Sequence, residues 1–599
     1  MPSPRKLFWG IPLLWFSLFL WMNAQEVHHM SNSDEATRRL YQLFEEEWEY
    51  QLREFPEQAT FQGDRRYNDR LTDYSPEAIQ RRQAHDREVL KRIRQINREM
   101  LSPADQLNYD LFEKRYRERV ERQRFHDYLM PVTQLWGPQI DLPQLVSVTP
   151  FEEVADYEAY FKRLAAVPTQ ITQITALMRR GMEEGWIMPR EPLRGVADQI
   201  QAQLKADTSE SVFYNPFRQF PEDVPREARK RLREQALKVL QERVLPAFQQ
   251  FYDFFTGEYY PRTPEQVGAW MWPEGKAYYE NRVRFFTTTN LTPEEIHQIG
   301  LGEVRRIRAE MEAIIRKVKF EGSFQEFVHF LRTDPQFYYT DPHDLIVGYR
   351  DICKRIDPEL VKLFGKLPRI PYGVKEIPAY QAPTTYTGYY QEPASDGSRA
   401  GYFFANTYKL NTRPKYEMEA LAAHEAVPGH HLQIALALEL ENLPKFRRHS
   451  SITAFVEGWA LYAESLGEDL GLYQDPYSKF GQLTYEMWRA CRLVVDTGMH
   501  YLKWTRQQAI DFMKENTAKT EHDITNEVDR YIVWPGQALA YKIGELKIKE
   551  LRAFAEKELG ERFDIREFHD RILENGAIPL DILEQNIRRY VAEKKAGDS

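Results

Sequence analysis

Apolar residues recur at intervals of three and four over most of the chain, as in TRRLYQLFEEEWEYQL near the start, which predicts amphipathic helices from about residue 34 to 130. The same period returns at 226–256 and at 293–332. The second of these stretches opens on Thr292-Pro293 followed by acids, a helix start signal. Pro-rich punctuation at 131–150 and 213–225 predicts loops within one body. From 366 to 410 the pattern changes to short β-branched and aromatic runs between Pro and Gly, which predicts two or three strands. The tyrosines there (Tyr372, Tyr380, Tyr386, Tyr389, Tyr390, Tyr402) are placed either to line a cleft or to pack a small sheet onto helices. Helical spacing resumes after 411 and continues to the end. The expected architecture is a mainly α body with a small β-sheet in its C-terminal half.

Composition narrows the class. A formal net charge of −9, with both signs interspersed along helix faces, argues against a nucleic-acid partner, which would need clustered Lys and Arg. Arg5 and Lys6 precede the apolar run LFWGIPLLWFSLFLWM, and Asn23-Ala24 offers a cleavage point. Residues 1–24 therefore read as a signal peptide, with a retained N-terminal membrane anchor as the alternative. An exported protein, periplasmic or extracellular, with no lasting membrane association is expected. The only cysteines are Cys353 and Cys491, so neither a disulfide framework nor a lipid attachment point near residue 24 is available. The mature chain divides into a helical region, 25–365, and a region carrying the chemistry, 366–599, within one two-lobed body. Nothing in the sequence fixes the oligomeric state.

The chemistry centres on HEAVPGHH, residues 424–431. In a zinc helix of the H-E-x-x-H kind two histidines one turn apart bind the ion and the glutamate acts on water. Here the fourth position is Pro428, which removes the amide that would bond the His424 carbonyl and breaks the helix. An unbroken helix would carry His431 back over His424. A bulge at Pro-Gly would instead deliver His430, and the spacing leaves both open. Catalytic zinc needs a third protein ligand. Glu457, set amid Phe455, Val456, Trp459 and Leu461, has a desolvation cost that a cation would offset. Ser450-Ser451 is placed to cap its helix. Glu464, seven residues on, lies on the same face and is suited to orient a ligand histidine.

The motifs H-E-x-x-P-G-H-H, F-x-E-G-W-A-L-Y-A-E, R-L-V-V-D-T-G-M-H and P-G-Q-A-L-A-Y-K-I-G resemble the bacterial family known as domain of unknown function 885, grouped with the gluzincin metallopeptidases. The resemblance implies a large helical zincin-like body of the gluzincin or oligopeptidase type with a small sheet beside its cleft. It also implies Zn2+ held by His424, His430 and Glu457, with Glu425 as general base, and it favours His430 over His431. Relatives of this kind stabilise the oxyanion with a Tyr or His from a later helix; the candidates are Tyr541 first, because a Pro-Gly break precedes it, then His500 and Tyr531. Arg489, Arg492, Arg530 and Lys542 lie in the same segments and are candidates to hold a substrate carboxylate. The expected activity is zinc-dependent hydrolysis of short peptides. The alternatives are a binding protein on a degenerate zincin frame and a zinc hydrolase of a non-peptide amide or ester.

Overall fold

A computed structural model describes residues 32–597 except 380, 381, 383–385, 395–398 and 442. The stretch 1–24, expected to be a signal peptide, and Tyr380 lie outside the described residues.

The chain is mainly helical, and its helices start where the sequence supplies caps. Thr292 accepts a hydrogen bond from the Glu295 amide while the Glu295 carboxylate accepts one from the Thr292 amide at 2.8 Å, opening the helix Pro293–Lys317. Ser75 and Ser102 cap Pro76–Arg94 and Pro103–Arg122 by accepting from the Ala78 and Asp105 amides, without the reciprocal bond. These two helices and Asn32–Glu54 form a small core of their own around Leu40, Phe44, Ile93 and Phe112, which Phe446 enters from the C-terminal half of the chain. The stretch 226–256 is helical, Arg226–Val239 and Leu245–Phe254 being joined by a π turn.

Two expectations are corrected. The Pro-rich stretch 131–150 contains the helix Pro138–Val148, because Pro138 stands in its first turn, where its missing amide costs nothing, and Leu142, Leu145 and Val146 are buried. Ser450 and Ser451 do not cap the Glu457 helix. The Ser450 amide closes the preceding turn on Arg447, and the helix Thr453–Ser465 starts after Ile452 without a side-chain cap.

Three strands form as expected: β1 (Tyr372–Glu376), β2 (Gly388–Gln391) and β3 (Gly401–Ala405). The order is β1-β3-β2, with β1 parallel to β3 and β2 antiparallel to it. Of the tyrosines there, Tyr389 stacks on Phe404, while Tyr386 is exposed. A main core runs from Phe125 to Val591 and draws on both halves of the chain. A second core forms where Pro293–Lys317 lies along Pro476–His500. That last helix is buried at almost every position from Phe480 onward, so it serves as the spine against which the site is assembled.

Candidate metal centre

The His424 helix, Met418–Glu425, stops one residue after Glu425, where Ala426 takes φ −97° and ψ −108°. Pro428, preceded by a cis peptide bond, follows, and a second helix, His430–Leu438, begins beyond Gly429. Gly429 is required by close approach: a Cβ there would stand 1.9 Å from the His424 carbonyl oxygen and 2.5 Å from that of Ala423. The His431 amide reaches back to the Ala426 carbonyl at 3.0 Å, so the break is a closed five-residue bulge. Trp459, fully buried, donates from its indole to the Pro428 carbonyl at 2.9 Å and holds the bulge from the neighbouring helix.

This bulge settles which histidine turns inward. His430 faces His424 with ring centroids 4.8 Å apart and planes at 86°. His431 faces the sheet: Nδ1 meets the Tyr390 hydroxyl at 2.9 Å and its ring lies 4.7 Å from Tyr372. Burial in that aromatic pocket holds its pKa down to about 4. His431 is therefore not placed as the alternative ligand, because the bulge adds two residues to the usual helical spacing and rotates His430 into that role.

Glu457 completes the cluster. Its Oε2 lies 3.7 Å from His424 Nε2 and 3.7 Å from His430 Nε2, and the three donor atoms all fall within 4.8 Å of one another. Tetrahedral zinc ligands at 2.0–2.2 Å stand ~3.4 Å apart, so little adjustment closes the set around one ion. His424 Nδ1 meets Glu464 Oε1 at 2.8 Å, which fixes the ring and leaves Nε2 aimed at the cluster. Glu464 is fully buried, with Arg489 3.8 Å away.

The electrostatics favour a cation. Burial disfavours charge on His424, but its contacts with Glu457 and Glu464 outweigh this and raise its pKa to about 9. Burial likewise opposes the charge of Glu457, and the nearby imidazoles of His424 and His430, each at 3.7 Å, bring it down to about 2. Glu457 and Glu464 thus favour positive charge at His424. Two imidazoles and a carboxylate with a carboxylate-backed histidine fit a zinc site.

Glu425 is buried beside both histidines, close enough for its charge to act on each, and among the described residues its carboxylate carries no ion pair or hydrogen bond. Tyr541 is half-buried, with its ring 4.4 Å from the Arg492 guanidinium and its phenol within the field of Glu457. Burial first, then Glu457, raises its pKa, so the phenol keeps its proton.

The remaining candidates separate. His500 is fully buried with both ring nitrogens committed, Nδ1 accepting from the Ala269 amide and Nε2 meeting the Tyr531 carbonyl, each at 2.9 Å. It is a structural residue. The Tyr531 hydroxyl donates to Glu527 at 2.7 Å and accepts from Arg492 and Trp488, which leaves no open phenol. Lys542 is fully buried among Glu303, Glu486 and Glu545 at 2.5–3.0 Å, so it is an internal counter-charge and not a substrate anchor. Arg530 is held by Glu527 and Gln537. Arg492 pairs with the same Glu527 at 3.0 Å, yet among the described residues its buried Nη1 has no hydrogen-bond partner. Arg489 bonds the Tyr485 carbonyl and lies next to Glu464, with Nε unpartnered among the described residues.

Sequence reasoning missed Trp459, Glu527 and the pair Gly458 and Gly544. A Cβ on Gly544 would stand 2.0 Å from the Ala454 carbonyl, so the helices Thr453–Ser465 and Ala540–Leu559 cross in backbone contact. The signal was present as a glycine inside each helical pattern, beside Glu457 and one turn after Tyr541.

The whole chain has solved counterparts. A candidate lipoprotein from Colwellia psychrerythraea is 29% identical, with a TM-score of 0.86 over 94% of this chain and 100% of that one. A candidate lipoprotein of unknown function from Shewanella oneidensis is 16% identical, with a TM-score of 0.73 over 91% and 99%, and shares the fold. No curated protein matches. The family of bacterial proteins of unknown function DUF885 matches over residues 56–587, nearly the whole described chain, and this protein belongs to it.

Proposed function

We propose that this protein is a zinc-dependent peptidase of gluzincin type that hydrolyses short peptides outside the cytoplasm. The observation that carries the reading is the convergence of His424 Nε2, His430 Nε2 and Glu457 Oε2, with Glu464 behind His424. Zinc bound there supplies Lewis acidity and an activated water. The chain's own groups supply the rest. Glu425, unpaired and adjacent, takes the proton of the attacking water and hands it to the leaving amine. Tyr541, protonated and half-buried, donates a hydrogen bond to the oxygen on which negative charge develops. Arg492, with one buried nitrogen unpartnered, supports Tyr541 from behind and extends positive charge toward the substrate.

Placement in the cell envelope is supported by the basic and apolar N-terminus and by the two counterparts, each described as a candidate lipoprotein. Both cysteines of this chain are buried, so neither offers a lipid attachment point.

The deciding measurement is metal content set beside peptide cleavage. The purified protein is expected to hold one zinc per chain and to lose cleavage with a chelator. His430→Ala is expected to lose the zinc and His431→Ala to retain it. Equal zinc in the two variants, or cleavage indifferent to chelator, would reject the reading.

A further inference from the structure

A cavity of about 780 Å³ opens between the N-terminal helices Asn32–Glu54, Pro76–Arg94 and Pro103–Arg122 on one side and the helix Gly275–Thr287 with the turn at 533–535 on the other. None of His424, His430 and Glu457 lies in its wall.

Its surface departs from an ordinary core in two ways. Phe285 and Trp534, large aromatics 40% and 38% exposed, both belong to its wall. The wall also holds four arginines against three carboxylates, Asp86, Asp127 and Asp141, the last accepting from the Gly137 amide at 3.0 Å. Arg82, Arg119 and Arg122 in the wall pair with Glu54, Asp86 and Asp127 at 3.5, 3.5 and 2.5 Å. Arg282 has no carboxylate partner among the described residues. Only 4% exposed, it donates to Asn281 Oδ1 at 2.9 Å and lies over Phe285 at 4.5 Å. A guanidinium presents five N–H donors, and burying it without an opposite charge is costly. Arg122, itself bonded to Asp127, adds its positive charge from the same wall, and Asp127 and Glu118 offset part of it without pairing with Arg282.

The wall is also one face of the turn that leads to the metal centre. Trp534 and Pro535 line the cavity, Gly536 donates to Asp496 at 3.1 Å, Gln537 accepts from Arg530 at 2.6 Å, and Tyr541 follows. We propose that this cavity binds the C-terminal end of a peptide, Arg282 and Arg122 receiving its carboxylate and Phe285 and Trp534 an aromatic or large apolar side chain. That the ligand is a peptide rests on the peptidase reading.

The test is calorimetric binding of acetyl-Phe-Ala-Phe and of its C-terminal amide to full-length Glu425→Gln protein, in which the probe is not consumed. The acid is expected to bind at least about tenfold tighter than the amide, as a charge-assisted pair would give. Arg282→Gln should abolish that preference, and Trp534→Ala should weaken both probes alike. Absence of saturable binding, equal affinity for the two probes, or a preference that survives Arg282→Gln would overturn the proposal. Should Arg282→Gln fail to fold, Arg122→Gln decides, since its side chain is 48% exposed and its loss must reduce the preference. Binding here requires no hydrolysis, so absence of zinc would sink the peptidase reading alone. Zinc-dependent cleavage without Arg282-dependent binding would sink the cavity alone.

Discussion

The Cα of Gly544 lies 2.5 Å from where a Cβ on Gly458 would stand. Two helices therefore touch backbone to backbone one residue after Glu457 and three residues after Tyr541. A side chain on either glycine would push apart the proposed third ligand and the phenol proposed to stabilise the oxyanion.

Gly458→Ala and Gly544→Ala are each expected to lower folding stability by ~1–3 kcal/mol or more through overpacking, and to weaken zinc binding together with it. Denaturant unfolding monitored by circular dichroism reads the first effect. Wild-type midpoints in both variants would refute the contact.

Glu464→Gln keeps the shape of the group behind His424 but removes its charge. Losing the carboxylate that orients a ligand histidine typically costs about 10–100-fold in metal affinity. Competition with a chromogenic chelator should return a value in that range, and unchanged affinity would remove Glu464 from the centre.

Glu425→Gln should retain stoichiometric zinc and lose about 10²–10⁴-fold in kcat, the usual contribution of a general base. Tyr541→Phe should reduce kcat with little change in KM, since its bond forms only as charge develops. Full turnover in Glu425→Gln would dismiss the assigned base.

Asp496 gives a pH dependence away from the proposed metal ligands. Burial raises its pKa to about 7, against the hydrogen bonds it accepts from Tyr279 at 2.6 Å and Gly536. The folded state therefore holds this proton more tightly than the unfolded chain, whose carboxyl titrates near 3.9. The stability that the protonated group contributes is present below that value and is lost as pH rises through about 7. Asp496→Asn should flatten the fall in stability between roughly pH 4 and 7. A wild-type slope in that variant would exclude Asp496 as its source.

Much of the architecture was legible because helix formation is local. The Thr292 capping box, the 3.6-residue period and the Pro and Gly punctuation around β1 to β3 act within a few residues of themselves. The ligand types were legible for the same reason, since His424, Glu425 and the Gly-His-His that follows lie within eight residues, and an acid among apolar neighbours marked Glu457. Residues whose role depends on distant partners were not. His500, Tyr531 and Lys542 carry ligand or anchor chemistry in sequence, yet each is consumed by groups from other elements: Ala269, Glu527 and Glu303 with Glu486.

The sequence alone fixed a helical chain, a broken helix at Pro428 and a short set of groups able to hold a cation. Which of two adjacent imidazoles meets the carboxylate was decided only in three dimensions. The Gly429 backbone packs against the His424 carbonyl, Trp459 holds the Pro428 carbonyl from the next helix, and the sheet claims His431 through Tyr372 and Tyr390. The direction of a side chain past a helix break is set by contacts across the fold, and no local period encodes it.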